Sequence, residues 1–284
     1  MADSLGAVSR DLHREAPARR LADGVVSKTH RSVPTETAVA LVFDGGTEAV
    51  MMATPADLED FAVGFAITEG IVASPSQIAS LEIVDQPGGV EARLWLSVDR
   101  GGALSRRRRV RIGPTGCGLC GIDSLAEAVR PLPKLVSTLT VAASEIIAAM
   151  QSLGEAQDLN RATHAVHAAG LLIPGEGIVI VREDVGRHNA LDKLAGAAAR
   201  SGRLASEGVV LLTSRVSVEL VQKAAMIGAP ILAAVSAPTA LALDTAETTG
   251  ITIVGVVRRD GLEAFTHLQR LRFDAPAARS GQDS

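Results

Sequence analysis

Four short apolar runs constrain this chain more than any other feature: "GIVIVRED" (177–184), "GVVLLTSR" (208–215), "PILAAVS" (230–236) and "ITIVGVV" (251–257). Each is short for a helix and lacks the alternation of a half-exposed strand, so each reads as a strand buried on both faces. Helical segments separate or follow them, at about 187–200, 217–228, 238–249 and 261–272. That rhythm predicts βα units, a parallel sheet covered on both faces and an α/β fold class for the C-terminal part. In such sheets ligands bind beyond the carboxyl ends of the strands. The polar clusters "REDVGRHN", "TSRVSVE", "SAPT" and "RRDG" fall there.

The front half has a different pattern, that of a smaller α+β region. "TAVALVFDGGTEAVMMATP" reads as two strands turning at Asp44-Gly45, a hairpin signal. "TPADLEDFAVGFAITEG" reads as a helix with Thr54 as its cap, Pro55 in the first position and Gly70 as its stop. Leu58, Phe61, Ala62 and Phe65 give it an apolar stripe, and "VEARLWLSV" alternates as a half-buried strand does. The organisation expected is a loose tail over 1–32, an N-terminal α+β region over 33–112 and a cysteine loop with a following helix over 113–135. A C-terminal α/β domain over 136–274 and a tail over 275–284 complete it.

The two cysteines of the chain, Cys117 and Cys120, lie together in "GPTGCGLCGIDSL". Two thiols in 284 residues make no disulfide framework, and the default compartment is a reducing cytoplasm. The spacing admits half a metal site, a redox or sulfur-handling pair, or an inert pair. Glycines around the thiols leave the backbone free, and the "RRRRVR" run at 106–111 and a helix start near Ser124 both favour thiolate. His164 and His167 in "THAVHAA" are the histidines that would complete a zinc site, but they follow Cys120 at a distance far from finger spacing. Packing or substrate binding is the favoured reading of that pair. His188 reads as a ligand contact or a helix cap, and Asp184 as a loop organiser. Arg187, Arg215, Arg258 and Arg259 stand at or beyond strand ends, where they suit an anion.

Composition removes some classes of function. Net charge is −4, aromatics are 2% and there is no Tyr, so platforms for stacking nucleic-acid bases are essentially missing. The longest apolar stretch, "PILAAVSAPTALAL", is too short to span a bilayer and is interrupted by Ser236 and Pro238. No nucleic acid and no membrane are expected as partners, and no secretion signal is read at the N-terminus.

With "ATPADLEDFAVGFAITEGI", "TGCGLCG", "THAVHAAGL", "REDVGRHNALDK", "SRVSVELVQKAA", "SAPTALAL" and "GVVRRDG" all in view, the chain resembles the FdhD/NarQ family of formate dehydrogenase accessory sulfurtransferases. The similarity runs from about residue 33 to 272. It implies a sulfur carrier that accepts sulfur from a cysteine desulfurase and passes it to the molybdenum cofactor, a bis(molybdopterin guanine dinucleotide), before that cofactor enters the formate dehydrogenase catalytic subunit. The cofactor is then a bound substrate, and no permanent cofactor or resident metal is expected. The resemblance further implies a homodimer and a C-terminal domain of the cytidine deaminase-like fold. Position by position, Cys117 matches the persulfide carrier and Cys120 an assisting thiol. Val256, Val257, Arg258, Arg259, Asp260 and Gly261 match the cofactor-contacting stretch. The chain departs from the family at T-G-G-x-H, where only Thr163 and His167 match, and at S-G-R, where it has Thr213, Ser214 and Arg215. Both departures put bulk where glycine would let a ligand approach.

Overall fold

A computed structural model describes residues 11–97 and 131–273. Its largest sheet has six strands in the order β13-β12-β11-β10-β8-β9. The strands are β8 (His167–Ile173), β9 (Gly177–Asp184), β10 (Val209–Leu212), β11 (Ile231–Ala234), β12 (Thr252–Arg258) and β13 (Gly261–Ala264). The expected strands β9 to β12 are all present, but the sheet is mixed. β10, β11 and β12 run parallel, while β8 lies antiparallel to both β9 and β10. Side chains alternate between two cores. Val210, Leu212, Leu232, Ala234 and Ile253 meet one layer of helices: α4 (Arg187–Ser201), α5 (Val218–Met226) and α6 (Ala240–Thr249). Val209, Leu211, Ile231, Ala233 and Val254 meet α2 (Ala143–Glu155) on the other face. A strand with helices on both faces gains nothing from alternating polarity, and that is why these runs are continuously apolar.

Two expectations for this half are corrected. The helix read over 261–272 is instead β13, a turn, and β14 (Leu271–Arg272) paired with β7 (Val141–Ala142). Its helical pattern loses to the open edge of β12, which β13 joins antiparallel. Thr266 extends that edge with its side chain: Oγ1 donates to the Ile251 carbonyl and accepts the Ile253 N–H. The all-parallel sheet is interrupted by β8, "HAAGLLI", which carries no strand signal of its own because it is small and buried. Gly170 within it leaves room for Leu153 of α2, whose Cδ1 would lie 3.1 Å from an added Cβ.

The front half is a four-stranded sheet, order β4-β3-β6-β5, built from β3 (Thr37–Phe43), β4 (Gly46–Ala53), β5 (Ile78–Gln86) and β6 (Gly89–Leu96). β3 and β4 turn at Asp44 and Gly45, with φ of 47° and 77°, as the Asp-Gly pair demands. Helix α1 (Leu58–Thr68) covers one face. It is not half-exposed: every residue but Glu59 is buried, because α4 packs on its other side. The expected cap is also corrected. The helix begins at Leu58 after Asp57, whose φ is 52°, and Thr54 is engaged elsewhere. Its N–H donates to Asp184 Oδ2 at 3.0 Å, and its hydroxyl accepts the Val185 N–H at 3.1 Å.

Residues 13–34, all but the last two expected within a loose tail, form a hairpin of β1 (His13–Ala22) and β2 (Val25–Pro34), with Leu21 opposite Val26 beside the turn. It reads as aperiodic because most of its side chains face solvent, so neither face acquired an apolar pattern. The turn signal was there all the same: Asp23-Gly24 repeats the left-handed pair of Asp44-Gly45.

The contact between α1 and α4 gives a sharp expectation. A Cβ on Gly64 would lie 1.7 Å from the Asp192 carbonyl oxygen, and one on Gly196 would lie 1.9 Å from that of Asp60. Gly64→Ala and Gly196→Ala are each expected to cost about 3 kcal/mol or more. Gly154→Ala, on an exposed helical position with nothing within 4 Å, is expected to stabilise by about 0.5–1 kcal/mol. Denaturant unfolding of the three variants checks both signs.

Candidate functional site

The strand directions gather the polar clusters on one edge. β9 runs with β10, β11 and β12, so Asp184, Leu212, Ala234 and Arg258 end on the same side of the sheet. β8 runs against them, so its first residue, His167, pairs with Asp184 and joins that edge. Arg187 opens α4 directly after β9, Arg215 is exposed between β10 and α5, and Arg258 and Arg259 are exposed at the turn from β12 to β13. The structure therefore brings the four arginines to one sheet edge together with His167. His164 is exposed in a left-handed cap after α3 (Asp158–Thr163), with φ of 54°. Cys117, Cys120 and the helix expected near Ser124 lie outside the described residues.

Asp184 organises the edge, as its sequence context predicted. It is fully buried, and its Oδ1 accepts from the Gly186 N–H at 2.8 Å and from Asn189 at 3.0 Å. Its Oδ2 accepts the Thr54 N–H and pairs with Lys193 Nζ at 2.7 Å. Lys193 is equally buried and also donates to the Thr54 carbonyl at 2.9 Å. One ion pair thus fixes the β9–α4 turn and ties it to the front half. Breaking such a pair strands a charge, at a cost of about 3–5 kcal/mol.

Beside this turn sits a cluster of three side chains, of which the sequence reading singled out only His188. His188, the second residue of α4, does not cap its helix; its Nε2 faces Glu219 Oε2 of α5 at 3.9 Å. That distance is too long for a hydrogen bond, and among the described residues the Ser217 hydroxyl nearby also has no hydrogen-bond partner. Among the described residues, His188 Nε2, Ser217 Oγ and Glu219 Oε2 are all buried polar atoms without a hydrogen bond. Groups in that state are costly and concentrate where chemistry or binding occurs. Burial opposes ionisation of Glu219, but the facing His188 imidazole, the Ser217 hydroxyl and its own N–H together hold the carboxyl at about 2. Burial, then the Arg187 and His188 charges, push the His167 imidazole below its usual range. A serine followed by a glutamate at a helix start was the available signal for Glu219.

The stretch from Val256 to Gly261 has its own anomaly. Val256 has φ of 50°, a left-handed conformation that a β-branched residue rarely adopts. It lies where the pairing of β12 with β13 shifts register between Gly255 and Arg258. Its N–H donates to the Ser236 carbonyl at 3.3 Å, and Arg258 reaches the Val235 carbonyl. The ends of β11 and β12 are thereby tied into one rim. Strain of this kind, about 1–3 kcal/mol, persists only where surroundings impose it.

A test of the site follows from Glu219. A carboxyl held at about 2 against an ordinary 4.5 adds stability that is present above pH 4.5 and fades as the pH falls toward 2. Wild type is expected to lose melting temperature between pH 5 and pH 3 more steeply than Glu219→Gln, with the curves converging at the acid end.

Comparison with known proteins places these residues in a family. The FdhD/NarQ family model matches residues 34–272. The chain is 50% identical over 260 residues to a sulfur carrier protein FdhD of Agrobacterium fabrum, covering 91% of this chain and 96% of that one. It is 52% identical over 265 residues to a protein of the same name from Brucella abortus, covering 93% and 97%. Among solved structures, a formate dehydrogenase accessory protein from Desulfotalea psychrophila superposes with a TM-score of 0.75 at 25% identity, over 92% of this chain and all of that one.

Proposed function

The chain belongs to the FdhD/NarQ family, and from that premise we propose that it is a sulfur carrier in formate dehydrogenase maturation. The identity of about half of all residues to sulfur carrier proteins, over nine-tenths of the chain, carries this reading. Cys117 takes the sulfur and Cys120 assists. The Cys117 thiolate attacks the terminal sulfur of a persulfide on a cysteine desulfurase; that S–S bond breaks, the desulfurase leaves as thiolate, and a new persulfide stands on Cys117. Attack by the Cys120 thiolate on Cys117 Sγ then releases hydrosulfide and closes a disulfide between the two cysteines. The pair supplies the two electrons that turn sulfane sulfur into sulfide.

The acceptor in this reading is a molybdenum cofactor of the guanine dinucleotide type, bound as a substrate at the sheet edge. An anionic dinucleotide needs cations and backbone donors, and Arg215, Arg258 and Arg259 are exposed there. Val256 to Gly261, with its strained bulge, is the stretch assigned to contact it. A hairpin and three parallel strands in one sheet also support a deaminase-like C-terminal fold. The working assembly is a homodimer.

Incubation with a cysteine desulfurase and cysteine is expected to add one sulfur to the peptide that holds Cys117. Cys117→Ala is expected to abolish formate dehydrogenase activity in a deletion strain and to leave cofactor binding intact, whereas Arg258→Ala weakens binding. Full activity from Cys117→Ala would leave the protein a cofactor-binding scaffold without sulfur chemistry.

A further inference from the structure

His167 is the only titratable side chain on β8, and the proposed function gives it no task. Residues two apart share a strand face, so it stands with Ala169 and Leu171 on the side covered by α4, where Arg187 and His188 open that helix. Its backbone is held on both sides: His167 pairs with Asp184 of β9, and Thr213 clamps the next residue. Thr213 Oγ1 accepts the Ala168 N–H at 2.8 Å, and the Thr213 N–H donates to the Ala168 carbonyl at 3.1 Å. The imidazole is half-buried, and among the described residues it has no hydrogen bond and no ion pair. Burial first, then Arg187 and His188, oppose a charge on it, while Asp184 favours one. Asp184 counts for little because Lys193 pairs with it at 2.7 Å. From α5, Glu219 faces His188 at 3.9 Å, and Arg215 is exposed on the loop between β10 and α5. Glu183, next to Asp184 on β9, accepts from the Leu159 and Asn160 N–H groups of α3.

Given the reading of this edge as a dinucleotide site, we infer that the ligand binds together with one proton, which His167 takes from water and donates in a hydrogen bond to the pyrophosphate. Without a ligand, a charged His167 faces two cations and has no bond to offset its burial. A pyrophosphate beside Arg187 reverses the local field and brings acceptor oxygens, so the same imidazolium becomes favourable. The step is a single protonation: the ring gains an N–H, solvent loses a proton, and no other bond is made or broken. In the strand order, three spacings separate β8 from β12, roughly 14 Å, so one extended dinucleotide reaches from His167 to Arg258 and Arg259. The arginines at that far end carry a fixed charge, and His167 carries a conditional one. A neutral guest leaves His167 uncharged, and the site therefore selects anions more strongly than its arginines alone would.

The test uses the full chain and diguanosine pyrophosphate, whose phosphodiester oxygens do not titrate near neutral pH, so that a proton taken up on binding belongs to the protein. Calorimetry in buffers of unequal ionisation enthalpy, across about pH 5.5–8.5, is expected to show uptake that peaks near about one proton per ligand. Because the bound ring titrates higher than the free one, affinity is greatest at the acid end. It falls by up to about tenfold per pH unit as the pH rises from the free to the bound midpoint, then levels off. His167→Gln is expected to bind at every pH as weakly as wild type does at the alkaline end, with no proton uptake. Arg258→Ala binds more weakly throughout and keeps the uptake. Binding of wild type with neither pH dependence nor uptake overturns the proposal and leaves the dinucleotide site standing, whereas no binding at any pH overturns both. Uptake that survives His167→Gln and disappears in His188→Gln belongs to the other ring and also overturns it. NMR of ring-labelled histidine in wild type keeps the test open if a variant fails to fold. One of the six imidazole midpoints is expected to rise by about one pH unit or more with the ligand, and six unchanged midpoints sink the proposal.

Discussion

Two peptide carbonyls set the architecture of this protein, those of Asp60 and Asp192. Each lies where the other helix has a glycine, so α1 and α4 cross with backbone against backbone at Gly64 and Gly196. The crossing is close because no Cβ intervenes, and the polar groups around it are placed by that closeness. Asp60 meets Arg182 and Arg200, while Asp192 accepts from Thr68 at 2.6 Å and from Lys223 at 2.8 Å. Burial pushes the Asp192 carboxyl up. Burial also opposes the Lys223 charge, but Asp192 and Glu69 outweigh it and hold the ammonium above its usual range. With Asp184 and Lys193, these pairs fasten the front sheet to the back sheet: Asp184–Lys193 is fully buried and Asp192–Lys223 nearly so, while Arg182 and Arg200 reach the buried Asp60 from part-exposed positions. Buried pairs of this sort contribute little net stability but penalise every arrangement in which one partner is missing.

The sheet edge inherits its form from that joint. Thr54 leaves the start of α1 to serve Asp184, and Asp184 in turn sets the β9–α4 turn from which Arg187 and His188 project. The front half thus shapes the polar edge without supplying the residues that line it. The antiparallel insertion of β8 brings His167 to an edge that an all-parallel sheet would have filled with a strand end.

Much of this was legible in the residues, for reasons that can be stated. β9 to β12 declared themselves because a strand buried on both faces must be apolar throughout. Asp44-Gly45 declared a turn because left-handed backbone at both positions tolerates few residues. Thr54 misled because a cap and a long-range hydrogen bond call for the same hydroxyl, and sequence holds no record of which partner is closer. The hairpin of residues 13–34 was missed because a ribbon without a core side leaves no periodicity, and β13 because the open edge of β12 outweighed a helical pattern. Glu219 was missed for a different reason. Its partners come from another helix, and only the packing of α4 beside α5 brings His188 to it.

The buried α1 has a consequence during synthesis. Thr68 and its partner Asp192 are 124 residues apart in the chain. At about 5–20 residues per second, α1 leaves the ribosome roughly 6–25 s before the strand-flanking helix that will bury it. For that interval a helix apolar on nearly every side has only the front sheet to lean on. The nascent chain therefore carries an uncovered apolar surface and an unmatched Asp60 until the two halves meet.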